Sequence, residues 1–116
     1  MKNLWEVKEV KKGDMIRVYN GVYYHYAIYL GDNQIIQFGK PTYTSNYQDI
    51  KVEIASSAEL TKYGFIEVRN YTFKEKLKKR KQEEIIKIAK SKLGQTGYDF
   101  KSNNCLTFVE ECVFKK

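Results

Sequence analysis

Short stretches that alternate between apolar and polar residues dominate the first two thirds of the chain, and turn residues separate them. Alternation with a period of two is typical of β-strands that bury one face. It predicts strands at residues 15–19, 22–30, 34–38, 50–54 and 64–73, with a short helical turn at 56–63. Asn20-Gly21 is the strongest hairpin signal and should join the first two strands. A second turn is expected at residues 31–33.

The last third of the chain changes to helical spacing. One predicted helix has the apolar stripe Ile85, Ile86, Ala89 and Leu93, and Gly94 is a typical helix end. Asn103 and Asn104 are suitable N-caps for a second helix. Its apolar face comprises Leu106, Phe108, Val109, Cys112 and Val113. The pattern therefore predicts an α+β domain, with an antiparallel sheet of about five strands packed against C-terminal helices.

The length and the amino-terminal segment suggest a simple organisation. A chain of 116 residues suits one domain, expected over residues 1–116. The first residues are charged early and do not resemble a secretory signal. No stretch approaches the roughly 20 apolar residues of a membrane span. The two cysteines, if they share one helix, are about 10.5 Å apart along its axis, too far for a disulfide. We therefore expect a cytoplasmic protein.

The formal net charge is +7, and much of the excess lies in the basic run from Lys74 to Lys81. Such a run is commonly a solvated helix start or a linker. It also fits attraction to an anionic membrane surface. Nucleic acid is the weaker alternative, because no aromatic-basic binding motif accompanies the charges.

Cys105 falls in the first turn of the second predicted helix, where backbone N–H groups favour a thiolate and can stabilise an oxyanion. A buried core thiol is the competing interpretation. His25, the only histidine, is the one residue suited to serve as the usual base of a cysteine enzyme. It shares a strand face with the small Ala27, which should leave room for the Cys105 helix on that face.

Gln37 is a candidate third member that would orient the His25 ring through its side-chain carbonyl. A three-residue turn centred on Asp32 places position 37 across from Ala27, so that Gln37 and His25 share a face. A two-residue turn would put Gln37 on the opposite face, as an ordinary polar strand residue. No metal or other cofactor is expected, because one His and two Cys match no zinc pattern and no glycine-rich phosphate loop is present.

Three segments together resemble the lecithin:retinol acyltransferase-like family, a circularly permuted, papain-like branch of the NlpC-type superfamily. They are Gly-Asp-Met-Ile at 13–16, His-Tyr-Ala-Ile-Tyr-Leu-Gly-Asp at 25–32 and Asn-Cys-Leu-Thr-Phe-Val at 104–109. The resemblance implies that Cys105 is the nucleophile and His25 the base. Members often have a second histidine where this chain has Gln37.

The resemblance also implies acyl transfer through a Cys105 thioester, in which a lipid ester donates the acyl group to water, an amine or an alcohol. The polar loop at 39–48 is then a candidate lid or entry rim. Two alternatives stay open: an NlpC-type amidase or peptidase, and a non-catalytic lipid-binding module on the same fold.

Overall fold

A computed structural model of the chain describes residues 3–42 and 46–115. The strands within these ranges are β1 (Trp5–Glu6), β2 (Met15–Tyr19), β3 (Tyr24–Gly31), β4 (Gln34–Phe38), β5 (Val52–Ser56) and β6 (Glu67–Arg69). The helices are α1 (Ala58–Thr61), α2 (Phe73–Lys78), α3 (Gln82–Ser91) and α4 (Cys105–Val113). The strands form one antiparallel sheet in the order β1-β6-β2-β3-β4-β5. The fold is therefore α+β, as predicted, with six described strands rather than about five.

The β3–β4 hairpin has a different turn from the predicted one, but Gln37 still lies on the same face of the sheet as His25. Its turn has two residues, Asp32 and Asn33, both with positive φ (52° and 60°), which is the type I′ geometry of tight hairpins. The register then shifts between Tyr29 and Gly31. Such a bulge adds one residue to one strand and reverses the faces beyond it. Gln37 therefore reaches the His25 face through a two-residue turn and a bulge, and the three-residue turn was wrong.

The two faces of the sheet have separate cores. One face packs on α3 and α4, and its strand residues include Met15, Ile28, Ile36, Phe38 and Val52. The other face packs on α1 through Leu60, and its strand residues include Ile16, Val18, Ala27, Ile35 and Val68. The prediction that the Cys105 helix approaches the Ala27 face was wrong. Leu60 of α1 already covers the Ala27 face. The wide apolar stripe of α4 packs instead on the opposite face, in the larger cluster that contains Ile28.

Local capping explains where the predicted fifth strand has to end. Only Glu67–Arg69 pairs as a strand within the predicted range 64–73, and α2 begins at Phe73. The Thr72 hydroxyl accepts the Glu75 N–H, while the Glu75 carboxylate accepts the Thr72 N–H. This capping box favours a helix start over continued strand. The two-residue strand β1 was not predicted, because two residues are too few to show alternation.

The remaining elements lie within two residues of their predicted ranges, and the predicted strand 50–54 is β5 at Val52–Ser56. Helix α3 ends at Ser91, before Leu93, and Gly94 follows with a φ of +86°. In the candidate lid, residues 43–45 lie outside the described residues, and a short 3₁₀ turn covers Tyr47–Asp49. Among the helices in the described ranges, none has the length and apolar character needed to cross a bilayer.

Candidate active site

Cys105 is the first residue of α4, and Asn104 fixes the start of this helix. The Asn104 side-chain oxygen accepts the backbone N–H groups of Leu106 (3.0 Å) and Thr107 (3.1 Å). The Thr107 hydroxyl accepts the Asn104 N–H at 2.8 Å, which completes a capping box. Asn104 also donates to the Phe100 carbonyl at 2.9 Å. The first helical turn, and with it the position of the thiol, is therefore tightly defined.

The environment of the Cys105 sulfur favours the neutral thiol. Burial raises the pKa of Cys105, while hydrogen bonds from the N–H groups of Tyr26, Leu106 and Cys105 itself lower it by less. The expectation that the helix N-terminus gives a low pKa was therefore wrong, because the side chain is only 6% exposed and desolvation penalises the charged form. A nucleophilic role for this thiol requires a nearby base at the moment of attack.

The Tyr26 contact shows how α4 reaches the neighbourhood of His25. The Tyr29 N–H donates to the backbone carbonyl of Asp14, the residue before β2. Because N–H groups alternate in direction along a strand, the even-numbered residues of β3 direct theirs toward β4. Pairing between β3 and β4 extends only as far as Ile28–Ile36. Beyond that pair, the Tyr26 N–H faces the Cys105 sulfur. The helix start therefore lies where β3 and β4 separate.

His25 and Gln37 form a buried hydrogen-bonded pair. The His25 Nε2 lies 2.8 Å from the Gln37 Oε1, and the two side chains are 1% and 0% exposed. Burial lowers the pKa of His25 to about 4, although Gln37 and the Glu59 carboxylate oppose the shift. The ring is therefore neutral at physiological pH and keeps one nitrogen able to accept a proton.

His25 and Cys105 line the same cavity of about 240 Å³. Much of its wall is aromatic, with Tyr24, Tyr26, Phe38, Tyr98 and Phe100 among the lining residues. The cavity thus combines a thiol and an imidazole with an apolar surface. In the described residues, no group of three or more His, Cys, Asp or Glu side chains is arranged to hold a metal ion.

Tyr98 and Glu59 belong to this region and were not found from the sequence. Tyr98 packs edge-on against Phe38 with ring centroids 5.3 Å apart. Burial, with a smaller effect from Cys105, raises its pKa to about 12. Glu59 accepts a 3.2 Å hydrogen bond from the Gln37 Nε2. Both residues lie in short or irregular segments whose apolar pattern carries no information about polar contacts.

The other cysteine is part of the core. Cys112 is 0% exposed and packs in the cluster beneath α4. Burial raises its pKa to about 12. Cys105 and Cys112 are both free thiols, and Cys112 is therefore a suitable internal control for Cys105.

The basic run divides into structural and exposed cations. Arg80 donates to the carbonyls of Glu111 (2.7 Å) and Cys112 (3.3 Å) at the end of α4, where a cation stabilises the helix terminus. Lys79 lies over the Tyr71 ring. Lys74, Lys76 and Lys78 are exposed on α2. Only part of the run is therefore available to an external partner.

Comparison with known proteins gives the family. The family model for lecithin retinol acyltransferase matches residues 8–116, and the chain belongs to this family. The human protein named phospholipase A and acyltransferase 4 is 29% identical to it over 119 residues. That alignment covers 94% of this chain and 73% of the human protein.

Proposed function

We propose that this chain is a cysteine-dependent acyltransferase or phospholipase-type hydrolase that works through a thioester on Cys105. The observation that carries the proposal is the cavity shared by Cys105 and His25, at the point where β3 and β4 separate. His25 serves as the base, and Gln37 holds its ring. Family membership supports the reaction class.

The neutral state of both groups suggests how the reaction begins. The Cys105 thiol gives its proton to the unprotonated His25 nitrogen as the sulfur–acyl bond forms, so no resting ion pair is needed. The ester carbon–oxygen bond then breaks, and the imidazolium returns the proton to the leaving alcohol. In the second half, water, an amine or an alcohol gives a proton to His25 while its oxygen or nitrogen bonds the acyl carbon. The thioester bond breaks, and the sulfur regains its proton.

The Asn104 cap restricts which donors can stabilise the oxyanion. The N–H groups of Leu106 and Thr107 are already bound by the Asn104 side chain. The Cys105 and Tyr26 N–H groups face the sulfur and are the better placed donors. Preorganised backbone donors of this kind stabilise tetrahedral intermediates in acyl transfer.

The aromatic wall of the cavity favours a lipid substrate. Tyr98 and Phe100 present an aromatic surface to the cavity that Cys105 also lines, which suits an acyl chain better than a polar peptide. The name of the human relative, phospholipase A and acyltransferase 4, agrees with this substrate class.

We interpret the whole chain as a single catalytic domain with a permuted papain-like, NlpC-type arrangement, because the histidine strand precedes the cysteine helix.

Helix α2 is the proposed contact with an anionic lipid surface. Phe73 and Leu77 are 79% and 69% exposed and lie four residues apart, on one side of the helix. The exposed Lys74, Lys76 and Lys78 are on the same short helix. Apolar side chains flanked by cations are typical of helices that bind the membrane interface.

Vesicle sedimentation tests this contact. The variant Lys76→Glu/Lys78→Glu should bind phosphatidylserine vesicles at least about 30-fold more weakly than the wild type at low salt, because it loses two cations that each contribute about 1 kcal/mol near the surface. Lys87→Glu/Lys90→Glu on α3 is the control with the same change of net charge. Equal losses in the two variants would show that α2 has no special role.

An activity assay tests the reaction itself. Wild-type protein should release fatty acid from phosphatidylcholine vesicles or transfer it to an added amine. Cys105→Ala should abolish both products, while Cys112→Ala should retain them because Cys112 lies in the core. Product formation that survives Cys105→Ala would refute the proposed nucleophile.

A further inference from the structure

We propose that Glu59 is a positioning residue that sets the tautomer of His25 through Gln37, an inference that rests on the proposed role of His25 as base. The three groups form a chain of hydrogen bonds: Glu59 Oε2 to Gln37 Nε2 at 3.2 Å, and Gln37 Oε1 to His25 Nε2 at 2.8 Å. Glu59 does not line the cavity; its charge acts on His25 through space, and its hydrogen bond to Gln37 is the contact that orients the amide.

Helix α1 holds Glu59 firmly enough to act in this way. The neighbouring Leu60 is 0% exposed and anchors the helix in the core beneath the sheet. At the helix start, the Ser57 N–H donates to the Asn33 carbonyl in the β3–β4 turn at 2.8 Å. The Ala58 N–H donates to the Ser56 hydroxyl at 3.2 Å. The carboxylate is therefore held against the same hairpin that carries His25 and Gln37.

The chemistry of the chain determines which way the Gln37 amide faces. An ionised carboxylate accepts hydrogen bonds and donates none, so Glu59 selects the Gln37 orientation that presents N–H to it. The Gln37 carbonyl oxygen then faces His25 and requires a proton on Nε2. A neutral imidazole has only one N–H, which leaves Nδ1 unprotonated. Nδ1 is then the nitrogen able to accept the Cys105 proton.

Loss of the carboxylate removes this selection. Without Glu59, the Gln37 amide has two orientations, and the reversed one presents N–H to His25 Nε2. That orientation stabilises the tautomer protonated on Nδ1, which cannot accept the thiol proton. If the two orientations become equally populated, kcat falls about twofold, and a larger bias toward the reversed amide gives a larger loss. KM stays unchanged, because Glu59 does not line the cavity.

The single histidine makes the tautomer directly measurable. Two-bond ¹⁵N–¹H spectra of protein labelled at histidine report which ring nitrogen carries the proton, and every signal belongs to His25. The spectra are recorded at pH 7 without substrate for wild type, Glu59→Gln and Glu59→Ala. Glu53→Gln is the matched control, since Glu53 is paired across from Gln37 on β5 and its substitution removes one nearby carboxylate while Glu59 remains.

We expect the Nε2–H tautomer in the wild type and in Glu53→Gln, and a mixture of tautomers in Glu59→Gln and Glu59→Ala. Three results would overturn the inference: an Nδ1–H tautomer in the wild type, unchanged spectra in both Glu59 variants, or the same mixture in Glu53→Gln. If neither Glu59 variant folds, an Nδ1–H tautomer in the wild type would still overturn the inference. Because no substrate is present, a failed acyl-transfer assay would count against the proposed function and leave the tautomer result standing.

Discussion

Lowering the pH from 7 to 5 should weaken the folded state through His25, and the magnitude follows from its burial. The pKa of His25 falls from 6.5 to about 4 on folding. The unfolded chain therefore binds a proton as the pH drops through 6.5, whereas the folded chain does so only near pH 4. The contribution of the neutral His25 to the free energy of unfolding is complete above pH 6.5 and is lost as the pH falls toward 4. A tenfold change in the equilibrium is worth about 1.4 kcal/mol, so the loss is about 2 kcal/mol by pH 5 and about 3 kcal/mol by pH 4.

Urea unfolding at pH 7 and pH 5 measures this effect when wild type is compared with His25→Gln. The glutamine keeps an N–H donor for Gln37 but does not titrate. Carboxylates titrate in both proteins, so the difference between their pH dependences isolates His25. The wild type should lose about 2 kcal/mol more than the variant. Equal pH dependences would mean that the folded state accommodates a charged ring, which would refute the argument that burial keeps His25 neutral.

Three further effects follow from the same geometry. The rate at which iodoacetamide modifies Cys105 should rise about tenfold per pH unit up to pH 9, because the thiolate is the reactive form and burial raises the pKa of Cys105. Mass spectrometry of Cys112→Ala measures this rate, and a rate that stops rising near neutral pH would contradict the prediction. Asn104→Ala should lower the free energy of unfolding by about 1 kcal/mol through loss of the N-cap, and an unchanged urea midpoint would argue against the cap. Gln37→Ala leaves a buried His25 N–H without its acceptor, which should cost about 1–3 kcal/mol; calorimetry showing no loss would rule out that penalty.

Strands β2 to β5 were predictable because their apolar alternation is a direct consequence of burying one face of a sheet. The bulge after Tyr29 was not, since the identity of the turn residues does not reveal a register shift further along the strand. The start of α2 did leave a sequence signal, because Thr72 and Glu75 have the spacing of a capping box. The apolar character of 64–73 concealed it. Local capping chemistry therefore deserves as much weight as periodicity when strand ends are assigned.

The candidate site was predictable in part. A cysteine after an asparagine cap and a histidine on a strand followed from residue types and positions, and the structure places His25 beside Gln37 and on the Cys105 cavity. The direction of the Cys105 pKa shift depends on burial, which local sequence does not give. Glu59 escaped prediction for a related reason. Its contact with Gln37 joins two segments 22 residues apart, and no local pattern marks such a pair.

Intact mass spectrometry tests the Cys105 thioester most directly. Wild-type protein is mixed with phosphatidylcholine vesicles and quenched in acid after a few seconds, and the same is done with Cys105→Ala and Cys112→Ala. We expect a mass increase of one acyl chain in the wild type and in Cys112→Ala, located on the Cys105 peptide and removed by hydroxylamine. An adduct of equal yield in Cys105→Ala, or fatty acid release without any adduct in rapidly quenched wild type, would contradict the thioester mechanism.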